Sequence, residues 1–363
     1  MKALVLVSRN QSIQLQDVPK PEAKAGSVVV RVLASPVLDY TQNILYGNRP
    51  YPLALPLIFG TACIGRVDAV GPDAVTIRPG QLVFCDFVLR ARDEPDVEIM
   101  QGYHGGISEK SMHLMAGEWR HGCYAEYAAF PLENVHALDE HQLLHTRGLS
   151  IRQLSAISVS LVAFGGLSSI DVKAGDVVLA IPATGAFGSA AVCMALGLGA
   201  TVIAGGRTEA TLKALVSKMD KDGRLSYVTL SGDAEVDGHA LKAATPGSLG
   251  ATAYIDFSPP AAAQSTHFLA GIKALRPYGK IALMGGIKVD IPLPYHTVTR
   301  NNLSLVGRHM YSRKDVTRFL SILTAGNLQL YKRSLAFKLD QVEQALKAAE
   351  DNRGWETQII FEP

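Results

Sequence analysis

The 363-residue sequence predicts an α/β chain of two domains, one β-rich and one built on a doubly wound parallel sheet. Three observations carry this expectation. Residues 1–148 read as short strands separated by turns. From about residue 150 the rhythm changes to alternating strands and helices, the pattern of a parallel sheet. At residues 183–188 the sequence Ala-Thr-Gly-Ala-Phe-Gly follows a buried strand and opens a helix rich in small residues. The length is sufficient for two cores. A formal net charge of +2 gives no nucleic-acid footprint and singles out no acidic substrate.

The elements follow in order. The opening "MKALVLVSRNQSIQLQ" reads as an alternating strand, because its apolar run is too short for a leader. "SVVVRVLA" (27–34) reads as a half-buried strand, and "ACIGRVDAVG" (62–71) and "GQLVFCDFV" (80–88) as two more, joined through "RPG" (78–80). Residues 90–122 are polar with little periodicity and read as a long surface excursion. Strands are then predicted at 177–181, 201–204, 226–230, 253–257 and 280–284, with helices at 187–198, 209–219, 235–245 and 262–275. Thr208 is the predicted N-cap of the second of these helices, with Glu209 in its first turn. "RPYG" (276–279) reads as a turn before a strand. A strand at 303–307, helices at 313–325 and 340–351 and a final strand "TQIIFE" close the chain. The apolar runs fall short of the roughly 18 residues that span a bilayer. Four scattered cysteines without a Cys-x-x-Cys predict reduced thiols in a cytoplasmic protein.

The glycine turn gives the first functional expectation. Ala183, Thr184, Gly185, Ala186, Phe187 and Gly188 would bring main-chain N–H groups to a pyrophosphate at the positive end of the following helix. The acidic residue that reads a ribose 2′-hydroxyl is expected about 20 residues on. Here the chain reads Gly205-Gly206-Arg207, with no carboxylate before Glu209. Gly206 leaves room for a 2′-phosphate and Arg207 can pair with it, so NADP(H) is favoured over NAD(H).

These segments resemble the medium-chain dehydrogenase/reductase superfamily over nearly the whole length. "PLIFGTACIGRVDAVGPDAVTIRPGQLVF" (56–84) is similar to its catalytic-domain hairpin, "CYAEYAAFP" (123–131) to its Ala-Glu-Tyr segment, residues 173–204 to its nucleotide-binding start and "LRPYGKIALMGG" (275–286) to its penultimate strand. The resemblance implies a GroES-like β-rich catalytic domain over 1–148, a Rossmann domain over 149–299 and a return to the catalytic domain over 300–363. Zinc-dependent members carry Gly-His-Glu where this chain has Gly60-Thr61-Ala62, and a Cys where it has Pro36, Val37 and Leu38. Their four-cysteine lobe corresponds to the excursion 90–122, which has no cysteine. His104, His113, His121 and Cys123 fit no tetrahedral spacing, so no metal site is expected.

The resemblance therefore implies the zinc-free branch of quinone oxidoreductases and enoyl reductases. The expected reaction is hydride transfer from NADPH to a small conjugated enone, quinone or ketone, with a proton donor near the developing oxyanion. Of Tyr40, Tyr46 and Tyr51 in "SPVLDYTQNILYGNRPYPLALP" (35–56), Tyr40 is the first candidate for that donor and Tyr51 the second. Phe257, Ser258, Gly285 and Gly286 lie at strand ends where ligands bind in such sheets. The resemblance brings "GRHMYS" (307–312) to the cleft, with Arg308 on the cofactor and Tyr311 on the substrate side. It also implies a homodimer through an edge strand near 281–294. Two other readings stand beside this one: a dedicated biosynthetic enzyme, redox-active or redox-neutral, acting on one intermediate, and a protein that binds the cofactor without catalysis.

Overall fold

The computed structural model describes residues 1–9, 12–330 and 333–363. Two compact units make up the chain, Met1–Ser158 with Lys332–Pro363, and Val159–Tyr331.

The first unit is β-rich. Its central strand, Ser27–Val37, pairs antiparallel with Cys63–Val70, Tyr127–Pro131 and Thr357–Phe361. The sheet extends through Leu82–Cys85 and Val135–Ala137 on one side and Arg333–Phe337 on the other. Only Arg31 of the central strand is exposed, so the expectation of a half-buried strand fails. The strand is mid-sheet, with Val28, Val30 and Val32 packed into a core with Cys63, Val83 and Phe130. Gln14–Asp17, Lys2–Leu6 and Leu57–Ile58 form a separate three-stranded sheet.

The excursion 90–122 is not simply a surface loop. Val88–Arg90 and Glu98–Met100 form a hairpin. Glu109–Ala116 is a helix whose N-cap, Ser108, accepts the N–H of Ser111 at 3.1 Å. Ile99, Tyr103 and Met115 are fully buried, whereas Ile107 is fully exposed, so the excursion's few apolar residues divide between core and surface. They are too sparse to make a period, which is why the sequence reads as polar loop.

The second unit holds the doubly wound parallel sheet. Its six strands lie in the order Leu225–Thr229, Thr201–Gly206, Val177–Ile181, Ala251–Asp256, Leu275–Leu283 and Ser304–Gly307. Numbered along the chain this is 3-2-1-4-5-6, with the order reversing beside the first strand, where such sheets bind ligands. Three expectations need correction. Thr208 occupies the N-cap of Glu209–Met219, but its side chain makes no cap hydrogen bond. The helix predicted over 262–275 starts only at His267, where Ser265 Oγ engages His267 Nδ1 and the Thr266 hydroxyl donates to the Gly232 carbonyl instead of the helix backbone. "RPYG" is a bulge within Leu275–Leu283, with Tyr278 at a φ of 64°, rather than a turn before it.

The domain boundaries also move. Ser304–Gly307 pairs in parallel with Leu275–Leu283, so residues after 300 still belong to the parallel sheet. The chain rejoins the first unit only near Arg333–Phe337, not at 300. One helical stretch, Ile151–Ser169, is 19 residues long with a mean hydropathy of 1.3, longer and more apolar than the sequence reading allowed. Its most apolar window is 72% buried within the protein, as a core helix is.

Candidate functional site

In the second unit, strand Val177–Ile181 leads into the glycine turn, and helix Ala186–Gly197 begins with Gly185 at its N-cap. Gly188 is dictated by sterics: a Cβ there would lie 1.9 Å from the Pro182 carbonyl oxygen. Gly185, by contrast, has open space on its side-chain side. The N–H groups of a first helical turn lack intrahelical acceptors. No acidic side chain occupies that turn. The turn at Gly185 therefore leaves the main-chain N–H groups of the first helical turn without intrahelical acceptors, an arrangement that suits an anion. Ala183 differs from its expected role. It is fully buried and its N–H donates to the Gly205 carbonyl at 2.9 Å, so it anchors the turn and offers no donor to a ligand.

The neighbouring strand Thr201–Gly206 ends one residue before Arg207. Gly206 is buried and Arg207 is exposed. The first carboxylate beyond, Glu209, pairs with Lys213 at 2.9 Å and accepts the Tyr227 hydroxyl at 3.3 Å. Those hydrogen bonds hold its carboxyl below the usual carboxylate range. The strand end thus carries a cation, an open main chain and no uncommitted acid.

At the ends of the fourth and fifth strands, two loops are pressed together. A Cβ at Gly285 would lie 2.7 Å from the Ser258 carbonyl oxygen, and the Gly286 N–H donates to that oxygen at 2.8 Å. Phe257 stacks on Phe187 with ring centroids 5.8 Å apart, tying this floor to the glycine turn. Below it lies a buried polar network that the sequence did not reveal. Asp256 accepts the Ser258 N–H at 2.6 Å and the Tyr254 hydroxyl at 3.0 Å. Ser258 Oγ and His267 Nε2 are 2.6 Å apart. Burial of these groups fixes the loop that carries Phe257 and Ser258. The Arg308 guanidinium is held at 3.2 Å by Asp315, which also accepts the Ser312 N–H and hydroxyl. Tyr311 is fully buried and packs on Gly165, so it belongs to the core rather than to an open pocket wall.

In the first unit the structure collects one aromatic cluster. Tyr103 is fully buried at its centre, with ring centroids 6.4 Å from Tyr40, 5.9 Å from Tyr51, 5.1 Å from Phe59 and 6.1 Å from Phe87. His104 lies edge-on to Tyr51 at 4.4 Å, and its Nδ1 accepts the Gly106 N–H at 3.0 Å. Arg49 stacks over both Tyr40 and Tyr51. Tyr40 and Tyr51 are half-buried, whereas Tyr46 is 48% exposed and takes no part. Burial pushes the Tyr40 hydroxyl well above the ordinary phenol value, Tyr51 and Asp39 add to this, and Arg49 opposes it. Tyr40 is therefore a neutral O–H donor at any physiological pH. Arg49, Tyr103 and His104 were missed as site residues. "QGYHGG" could have signalled Tyr103 and His104, because Gly102 and Gly106, both at positive φ, turn them inward.

The positions at which zinc-dependent relatives place ligands are closed here. Thr61 Oγ1 and the Tyr124 hydroxyl both donate to the Pro36 carbonyl, at 3.1 and 2.9 Å. Cys123 Sγ donates to the Thr61 carbonyl at 2.8 Å, and Ser35 Oγ to the Ala62 carbonyl at 3.0 Å. All these side chains are buried, and burial pushes the Cys123 thiol well up, away from the thiolate that binds metal. Among the described residues no group of three or more His, Cys, Asp or Glu side chains could hold a metal ion. The residues present do not fit zinc.

Residues 24–140 match the alcohol dehydrogenase GroES-like domain, and residues 186–325 match the zinc-binding dehydrogenase domain. An alcohol dehydrogenase of Geobacillus stearothermophilus is 24% identical over 330 residues, covering 91% of this chain and 90% of its own. An NAD-dependent alcohol dehydrogenase of Sulfurisphaera tokodaii is 22% identical and covers 99% of both chains. An alcohol dehydrogenase from Thermus sp. ATN1 superposes with a TM-score of 0.80 at 19% identity, covering 100% of this chain and 99% of its own. With both domains matched, a 3-2-1-4-5-6 parallel sheet and a glycine turn at its reversal point, the chain belongs to the medium-chain dehydrogenase/reductase superfamily of oxidoreductases.

Proposed function

We propose that this protein is a zinc-independent, NADPH-dependent reductase of a small conjugated enone, quinone or ketone. The observation that carries the reading is the hydrogen-bonded closure of Thr61, Pro36, Tyr124 and Cys123, which leaves no liganding side chains where relatives would bind a catalytic metal. Without a Lewis acid, the charge developing on the acceptor oxygen requires another partner. Tyr40 supplies it as a neutral hydroxyl. Thr184 to Gly188 would hold the pyrophosphate, Gly206 and Arg207 the 2′-phosphate, and Phe257, Ser258, Gly285 and Gly286 the nicotinamide end. Arg308, fixed by Asp315, would back the same end. Bound NADPH would supply the hydride. Tyr40 would give its proton to the oxygen of the enolate or alkoxide that results and recover one from solvent. The relatives' names favour the carbonyl branch, ketone to alcohol.

The reading is tested by following NADPH oxidation across enones, quinones, ketones and aldehydes, with protein extensively dialysed against a chelator. Turnover should persist, and elemental analysis should find far less than one zinc per chain. Stoichiometric zinc, or activity lost on chelation and restored by zinc, overturns the metal-free mechanism. NADPH binding with no acceptor turned over would leave a cofactor-binding protein instead.

The quaternary proposal needs a changed surface. Residues 284–294 form no strand, and the sheet edge is Ser304–Gly307. The neighbouring segment exposes Val289, Leu293 and Tyr295 by 58%, 46% and 74%, an apolar row that pairing with a second copy would cover. Light scattering should give the mass of two chains, falling to one in Leu293→Asp. A wild-type monomer at micromolar concentration rules the dimer out.

A further inference from the structure

His267 opens the helix His267–Lys273 of the second unit, whose Phe268, Ala270 and Ile272 pack into the core of the parallel sheet. His267 is buried with them. A buried imidazole costs free energy unless its ring nitrogens find partners. Here each meets a hydroxyl: Nδ1 lies 2.6 Å from Ser265 Oγ, and Nε2 lies 2.6 Å from Ser258 Oγ. The Asp256 carboxylate faces the same Nε2 at 3.6 Å. Ser258 is the joint of this network. Its N–H donates to Asp256 at 2.6 Å, and its carbonyl accepts the Gly286 N–H at 2.8 Å. Those bonds lie within and between the two strand-end loops. Among the described residues the Ser258 hydroxyl has one hydrogen-bond partner, His267, which ties the loops to the helix. Gly285 leaves no slack, because a Cβ there would also lie 2.9 Å from Ser258 N and 3.1 Å from Asp256 Oδ1. A shift of Ser258 therefore carries Gly285 and Gly286 with it. Phe257 is half-buried and Gly285 exposed, so the loops keep an open face while their tether is closed to solvent.

We infer that His267 is a positioning residue for the nicotinamide: through Ser258 it holds the Phe257–Ser258 and Gly285–Gly286 loops in the form that receives the ring. This rests on the reading that these loops take the nicotinamide end of the cofactor. His267 acts through Ser258 and takes no part in the chemistry. A histidine that only held the fold would, when lost, weaken every ligand alike. Loss of a positioning residue falls on the nicotinamide half alone, because a loop that is competent for a smaller fraction of the time lowers only the affinity of what binds to it.

Calorimetry of NADPH against 2′-phospho-ADP-ribose separates the two cases, since the second ligand keeps the adenosine, 2′-phosphate and pyrophosphate but lacks the nicotinamide ring. Wild-type protein should bind NADPH the more tightly. His267→Ala should weaken NADPH about 10-fold, the scale of one buried hydrogen bond withdrawn from the loop, and leave 2′-phospho-ADP-ribose within about 2-fold. Ser258→Ala removes the same bond from its other end and should reproduce the loss, which keeps the test open if His267→Ala does not fold. His267→Gln brings an amide to the place of Nε2 and should retain most of the NADPH preference. His267→Asn reaches only the place of Nδ1 and should lose it. Melting temperature reports whether each variant is folded. A preference for NADPH undiminished in the folded variants overturns the inference and leaves the nicotinamide reading standing. An equal loss of both ligands, or a preference kept by His267→Asn and lost by His267→Gln, also overturns it. Wild-type protein that binds the two ligands equally removes the nicotinamide reading, and the inference falls with it.

Discussion

Replacing Tyr40 with phenylalanine is expected to lower turnover about 100- to 10,000-fold, the contribution of a positioned proton donor, while NADPH still binds. The substitution removes one oxygen and keeps the ring. The stacking of Arg49 at 4.0 Å and the edge contact with Tyr103 at 6.4 Å survive, so a collapse of the cluster would not explain the loss. The pH profile adds a second readout. Burial raises the Tyr40 phenol above its ordinary value of 10.0, so it stays protonated throughout the neutral range and beyond. Wild-type turnover should therefore show no alkaline loss from this group below pH 10. Single-turnover measurement of hydride transfer in Tyr40→Phe, with NADPH affinity checked by fluorescence, decides the matter. Unchanged turnover refutes the role of Tyr40, and a loss confined to Tyr51→Phe would move it to the second candidate.

The parallel sheet was legible because its central strands, Val177–Ile181, Thr201–Gly206 and Ala251–Asp256, are largely apolar runs between turn signals, and a strand buried on both faces needs no alternation to be recognised. The glycine turn was legible for a steric reason, since Gly188 has no room for a Cβ beside Pro182. The tyrosine cluster was only half legible. Tyr40 and Tyr51 share one segment, but Tyr103 and His104 reach them from more than 50 residues away through a turn set by Gly102 and Gly106. Arg49 lay in the quoted stretch and went unweighed, because its stacking on Tyr40 and Tyr51 is a fact of space, not of spacing. The closure around Pro36 was likewise invisible. The sequence shows that His and Glu are absent at 61 and 62, but not that hydrogen bonds fill the position they leave.

Replacing Arg207 with alanine is expected to weaken NADPH binding about 10-fold and leave NADH binding almost unchanged. A charge-assisted hydrogen-bond pair to a phosphate contributes about 1.5–3 kcal/mol, and each 1.4 kcal/mol is a factor of ten. Arg207 is exposed, so solvent screening places the effect at the lower end of that range. The same exposure predicts that raising ionic strength from about 0.1 to 1 M, which shortens the screening length from about 10 to 3 Å, erodes the NADPH preference. The relatives called NAD-dependent do not decide the question, because the choice between the two cofactors depends on side chains at one strand end and not on the shared fold. In this chain that end has Gly206 buried, Arg207 without a carboxylate partner, and Glu209 committed to Lys213 and Tyr227. Fluorescence titration of both nucleotides into wild type and Arg207→Ala separates the possibilities. NADH binding as tightly as NADPH in the wild type would remove the 2′-phosphate site. A wild-type preference for NADPH that Arg207→Ala leaves intact would place the site on another cation, with the glycine cradle unaffected in either case.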